Sequence, residues 1–147
     1  MTTNSGLKSA DHGLSLVEAA LSLSLLVSLV FGVIAAGYML YIYHYISYAA
    51  RLGTRYAIVR GSSCDNSGGM PDCPNVTSNQ VSAYVLGKRF LGIDPSLMTV
   101  TASWPNTTDN PGDPIAVTVQ YPFPFFVPFV GGSTVTMHST SQMVISQ

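Results

Sequence analysis

Gly13-Leu14-Ser15-Leu16-Val17-Glu18-Ala19-Ala20-Leu21-Ser22-Leu23-Ser24-Leu25-Leu26-Val27 opens a stretch that carries no formal charge between Glu18 and Arg51. From Ala19 to Ile42 it is almost wholly Leu, Val, Ile, Ala, Ser, Phe, Gly, Met and Tyr. About 20 apolar residues in a helix cross the hydrocarbon of a bilayer, and this run exceeds that. The fold class that follows is α+β: a long N-terminal transmembrane helix, then a small three-stranded antiparallel sheet with a short helix.

Upstream, residues 1–12 are rich in Ser, Thr, Asn and Gly, without periodicity, and read as a structureless leader. An ordinary secretory signal has an apolar core of about 7–15 residues, roughly half the length seen here. The segment Val33-Ile34-Ala35 imitates a signal-peptidase site, but the helical pattern continues through it. Within the helix Ala20, Ser24, Ser28, Gly32 and Ala36 recur at every fourth position. That is a small-xxx-small ridge, which lets two membrane helices approach closely. The plainer reading is the ordinary richness of membrane helices in small residues. Tyr38, Tyr41, Tyr43, Tyr45 and Tyr48 then gather where the segment leaves the lipid, because tyrosine favours interfaces. No proline intervenes before Val59, so the helix is expected to persist to Gly61-Ser62-Ser63, with Gly53 costing about 1 kcal/mol.

Downstream the pattern changes. Thr77 or Ser78 caps a short helix predicted to run to Leu91, with Val81, Tyr84, Val85 and Phe90 or Leu91 on one face. Met98 to Trp104 alternates strictly, as does Ile115 to Tyr121 with Ile115, Val117, Val119 and Tyr121 on one side. Thr134 to Ile145 supplies a third strand, and Pro105 to Pro114 is a loop. Pro122-Phe123-Pro124-Phe125-Phe126-Val127-Pro128-Phe129-Val130 reads as neither helix nor central strand, because its prolines lack ladder donors. Phe123, Phe125, Phe126 and Phe129 are then either core, partner contacts or lipid contacts.

Charged residues make up 9% of the chain, against about 25% in ordinary soluble domains. The net charge is −1, and the absence of a basic run excludes a nucleic-acid surface. Cys64 and Cys73 frame a Gly/Pro-rich loop, as a disulfide in an oxidising compartment would. Zinc is the rival reading, without a CxxC or a nearby histidine to support it. Charge alone argues the opposite orientation: Arg51, Arg55 and Arg60 against Lys8 would hold the carboxyl end in the cytoplasm. No catalytic or cofactor constellation stands out. His44 is read as interfacial and His138 as exposed on a strand, and Asp109 and Asp113 as turn formers. Asn75-Val76-Thr77 and Asn106-Thr107-Thr108 match a glycosylation sequon short enough to arise by chance.

Gly13 followed by four residues and Glu18 at the head of an apolar helix resembles the pattern that type IV prepilin peptidases read. Ser47-Tyr48-Ala49-Ala50-Arg51-Leu52-Gly53-Thr54-Arg55-Tyr56-Ala57-Ile58-Val59-Arg60-Gly61 resembles TadE-like proteins, as do Ile115 to Phe123 and the closing strand through Met143. The resemblance implies a minor pilin-like (pseudopilin) component of a bacterial tight-adherence, Flp-type pilus or secretion system, with a pilin-like fold. It implies a leader over residues 1–13, cleaved after Gly13 to leave Leu14 at the membrane. A transmembrane helix with its extension would then span 14–60, and a small disulfide-stapled domain outside the inner membrane 61–147. Its partners would be the prepilin peptidase, other pilin-like subunits and membrane lipid. Ala19 stands where the major Flp pilin usually has Tyr, which argues against the main filament subunit. Glu18 is either paired with an amino group in an assembled bundle or solvated among headgroups. The alternative is a single-pass anchored extracytoplasmic binding module not processed at Gly13, with an anchored hydrolase behind it.

Overall fold

A computed structural model describes residues 5–64, 72, 73, 75–88, 92–124 and 134–146, with side chains from Gly13 onward. In chain order it has helix α1 (Ser5–Ile58), helix α2 (Ser78–Leu86), a 3-10 turn (Pro95–Leu97) and strands β1 (Thr99–Ser103), β2 (Pro114–Pro124) and β3 (Thr134–Val144). Its contacts group into two units, with α1 up to Tyr38 in one. The other holds the rest of α1 together with α2 and the sheet.

The first unit is the apolar part of α1, and its side chains lie open: Leu16, Leu21, Leu25, Leu29 and Val33 are all exposed. Gly13–Ile58 is long and apolar enough to cross a membrane, with a mean hydropathy of 2.4 in its most apolar window. The helix begins at Ser5, inside the segment the sequence reading left structureless. Helix extension needs only one more residue fixed per added hydrogen bond once a nucleus exists. No proline between Ser5 and His12 interrupts it.

The second unit is built on a stripe of α1 that the apolar run conceals. Ile42, Tyr45, Ile46, Ala49, Ala50, Gly53, Thr54 and Ala57 are all buried, and they recur at the three- and four-residue steps of one helix face. Tyr45 therefore belongs to the core of this unit, unlike the exposed Tyr38, Tyr41, Tyr43 and Tyr48 around it.

The sheet has the order β1-β2-β3, antiparallel throughout. Ile115, Val117, Val119, Tyr121 and Phe123 form its buried face, each at most 5% exposed. The opposite face carries Thr99, Thr101, Ser103, Thr118, Gln120, His138 and Thr140, without a charge. There the hydroxyls of Thr118 and Thr140 meet at 2.9 Å. Strict alternation at Ile115–Tyr121 is thus what one covered and one open face dictate.

The reading of Pro122–Pro124 as excluded from a central strand is corrected. Both prolines lie in β2, the middle strand, paired with Thr136 and Thr134 of β3. The last β1 pair is Thr99↔Gln120, so beyond it β2 is flanked on one side only. Pro122 and Pro124 share parity, and a ring nitrogen facing the side that β1 has vacated forfeits no ladder bond.

Helix α2 opens with a full capping box. Gln80 N–H donates to the Thr77 hydroxyl, and Thr77 N–H donates to the Gln80 side chain at 2.7 Å. It ends at Leu86 and not at Leu91: Gly87 N–H donates to the Ala83 carbonyl at 2.9 Å, and Lys88 N–H tightens the last turn onto the Val85 carbonyl at 3.1 Å. Val81 and Val85 have by then buried its apolar face completely. Phe90 and Leu91 lie outside the described residues.

Candidate functional site

Gly13, Leu14 and Glu18 all lie on α1, exposed, with Leu14 at 76%. A side chain added at Gly13 would meet nothing within 4 Å. On the same segment Ala20, Ser24 and Ala36 are exposed and Ser28 and Gly32 half-buried. The Ser24 hydroxyl donates to the Leu21 carbonyl at 2.8 Å, which removes the cost of carrying that hydroxyl into lipid.

The most elaborate chemistry lies where α1 meets the rest of its unit. Gly53 faces β2 and α2 so closely that a Cβ there would stand 3.0 Å from Val117 Cγ1 and 3.1 Å from Val85 Cγ2. One turn along, the buried Thr54 hydroxyl donates to the Ala50 carbonyl at 2.8 Å and lies 3.2 Å from the Ser141 carbonyl of β3. The end of α1 is closed by Ser146, whose N–H and hydroxyl both donate to the Ile58 carbonyl, at 2.9 and 3.1 Å. These contacts answer the open carbonyls that every helix end presents.

Beside them runs a stack of four side chains. The Arg60 guanidinium lies 3.7 Å from the centre of the Tyr56 ring. Tyr56 stacks on Tyr84 of α2 with centroids 4.1 Å apart, and the Lys88 ammonium sits 5.1 Å over Tyr84. Cation–π contacts of this kind contribute about 0.5–2 kcal/mol each, most where water is excluded. Tyr56 is buried and its hydroxyl donates to the Asp72 carboxylate. Asp72 also accepts from the Gln80 side-chain amide at 2.8 Å, which joins it to the cap of α2. Next to Asp72, Cys73 is bonded to Cys64 across a Cα–Cα distance of 5.8 Å. The disulfide, Asp72, Tyr56 and α2 therefore form one continuous brace on the end of α1.

The Phe/Pro segment divides. Phe123 is buried on the inner face of β2, 2% exposed, whereas Phe125, Phe126 and Phe129 lie outside the described residues. His44 and His138 are exposed. Among the described residues no group of His, Cys, Asp or Glu is arranged to hold a metal ion.

Asp113 does close a turn. It accepts from the Thr108 hydroxyl at 2.6 Å and the Asn106 amide at 3.0 Å, and these bonds hold its carboxyl below the usual range. A carboxyl with a lowered folded pKa adds stability above its unfolded value and loses it as the pH falls through the folded one. The Asn106–Asp113 turn is thus expected to hold at neutral pH and to loosen below about pH 4. Amide exchange of the Thr107–Asp109 backbone, measured as a function of pH, checks this; protection independent of pH through that window would contradict it.

Of these groups, the sequence reading missed Gly53, Thr54, Tyr56, Asp72 and the stack. The available signal was the three- and four-residue recurrence from Ile42 to Ala57, which the apolar and tyrosine-rich residues around its first half conceal. The long-range partners of Tyr56 and Thr54 left no local trace.

Residues 13–55 match the family model described as TadE-like protein; of the segments read as similar to that family, the match takes in Ser47 to Arg55 and not those from Ile115 onward. The match spans the apolar helix and the packed stripe through Arg55, and ends before the sheet. No curated protein and no solved structure matches the chain. A TadE-like match on a helix able to span a membrane fits a membrane protein associated with a Tad pilus.

Proposed function

We propose that this chain is a membrane-anchored minor pilin or pseudopilin that takes part in assembling a tight-adherence pilus or secretion apparatus, after a prepilin peptidase cuts between Gly13 and Leu14. The observation that carries the reading is the coincidence of three features on one unbroken helix. A side chain added at Gly13 would meet nothing within 4 Å, Glu18 is the single charge between Gly13 and Arg51, and the TadE-like match extends from Gly13 into the buried stripe that holds the sheet.

In this role Glu18 is paired. A carboxylate at the membrane edge is expensive unless a cation meets it, and cleavage creates an ammonium on Leu14, in the same chain or a neighbour. The ridge Ala20–Ala36 is the face on which a second pilin-like helix packs, since small side chains let helix backbones approach. The sheet unit lies outside the cytoplasm, which the disulfide favours. Arg51, Arg55 and Arg60 pull the other way under the positive-inside rule, although Arg60 is engaged with the Tyr56 ring and carbonyl inside the folded unit.

The test is co-expression with a type IV prepilin peptidase and sequencing of the amino terminus in the membrane fraction. The expected start is Leu14. Glu18→Ala is expected to insert normally but to co-purify with partner pilin-like subunits about tenfold less well, which corresponds to about 1.4 kcal/mol. A start at Met1, with a control substrate cut in the same cells, would replace this reading by an unprocessed anchored module. A start beyond Ala35 would mean a released domain.

A further inference from the structure

A second site lies apart from the anchor. Between the start of α2 and the segment that follows β1 is an open groove of about 440 Å³. Asn75 and Thr77 line one side, and Trp104, Thr107, Thr108 and Asp109 the other. That volume is in the range of small-molecule sites, in which a few convergent polar groups set orientation.

Two classes of side chain line it. Thr77 and Thr108 are spent on the fold, in the capping box and on Asp113. By contrast, the Trp104 indole N–H, the Asn75 amide and the Asp109 carboxylate make no hydrogen bond to any described residue. Trp104 is the single tryptophan of the chain and is half-buried. A donor, a group that both donates and accepts, and a charged acceptor therefore line one groove together with an aromatic ring.

The walls are fixed in advance. Thr107 N–H closes a turn onto the Trp104 carbonyl at 3.0 Å, with Thr107 itself at a φ of 58°. The Asp109 carbonyl accepts from Ser62 N–H at 2.9 Å, and Val76 N–H donates to the Arg60 carbonyl at 3.3 Å. Ser78 accepts from Ala102 N–H of β1 at 3.0 Å. Loops anchored this way lose little entropy when a ligand arrives.

The lining selects the ligand. Among the described residues that line it there is no Lys, Arg or His, and the one charge, Asp109, is negative, so phosphates, sulfates and carboxylates are repelled. Val76 and Trp104 are the only apolar members among the described lining residues, too few to hold a greasy molecule. A bare cation would use the ring and the carboxylate but would leave the indole N–H and the amide N–H groups without acceptors. A sugar ring uses all of them. Its C–H face covers the indole, while its hydroxyls donate to Asp109 in charge-assisted bonds and accept from Asn75 and Trp104. We propose that the groove bounded by Asn75, Trp104 and Asp109 binds a neutral saccharide.

The experiment uses the full chain in a zwitterionic detergent, because sugar-headed detergents would compete. Tetrasaccharides of β-1,4-linked N-acetylglucosamine, β-1,4-linked glucose and α-1,4-linked glucose are titrated while the emission of Trp104, alone in the chain, is followed. The expected result is a saturable change for at least one of them, with a Kd below about 1 mM. Asp109→Ala and Asn75→Gly each weaken it tenfold or more. Asp109→Ala leaves the backbone bond to Ser62 in place, and Asn75→Gly suits the φ of 64° found there, so both variants keep the fold, which their unchanged circular dichroism verifies. Failure of all three sugars to saturate would overturn the proposal. So would equal binding by both variants, or displacement of the sugar by tetramethylammonium at lower concentration than by glucose.

Discussion

Gly53→Leu is expected to destabilise the sheet unit by about 3 kcal/mol, the upper end of what overpacking a core costs. At this position the first carbon of a side chain would already stand 3.0 Å from Val117 and 3.1 Å from Val85, and both neighbours are fully buried. The remaining three carbons of leucine have no space, so α1 must lift away from β2 and α2 together. Gly53→Ala brings two opposed effects. It gains up to about 1 kcal/mol of helix propensity and meets the same tight contacts, so its net effect is the smaller of the two. Gly37→Ala is the control, because a Cβ there meets nothing within 4 Å. Denaturant titration in micelles, followed by Trp104 emission, reads all three variants. An unchanged midpoint for Gly53→Leu would mean that the helix does not pack on Val117 as described.

Loss of the disulfide is the second large effect. Cys64→Ser with Cys73→Ser is expected to cost about 2–3 kcal/mol, as for other short closed loops. It should also release more than the loop. Cys73 follows Asp72, which sits at a φ of 60°, a conformation a non-glycine residue holds only when its surroundings enforce it. With the cross-link gone, Asp72 loses part of that enforcement, and with it the bonds from Tyr56 and Gln80. Reductant added to the wild-type chain should therefore reproduce the double variant's lowered midpoint and increase amide exchange at the start of α2. A reductant effect confined to the loop, with α2 protection intact, would show that the brace stands without the disulfide.

How far the fold could be read in advance varied by element. The three strands were legible because one covered face and one open face force alternation, and Ile115, Val117, Val119 and Tyr121 obey it without exception. The long apolar helix was legible because a charge-free run of that length suits a membrane span. What escaped depends on pairing partners. Pro122 and Pro124 argue against a middle strand until it is known that β1 stops at Thr99. Gly53 looks like a small penalty until Val117 and Val85 are placed against it. Tyr45 and Tyr56 resemble the interfacial tyrosines around them, and only their three-dimensional neighbours separate core from rim. The candidate groove was illegible for the same reason: Asn75 and Trp104 are far apart in sequence and come together only when α2 packs on β1.

One consequence of the helix closure concerns mechanical load. The carbonyl at Ile58 is held by Ser146, just past the end of β3, and Thr54 reaches the Ser141 carbonyl of the same strand. Tension drawn along the anchor therefore enters the sheet at the strand most extensively paired to β2, over Pro114↔Val144 to Pro124↔Thr134. The loops that carry the groove share that load, because Arg60 and Ser62, just beyond α1, are bonded to Val76 and to the Asp109 carbonyl.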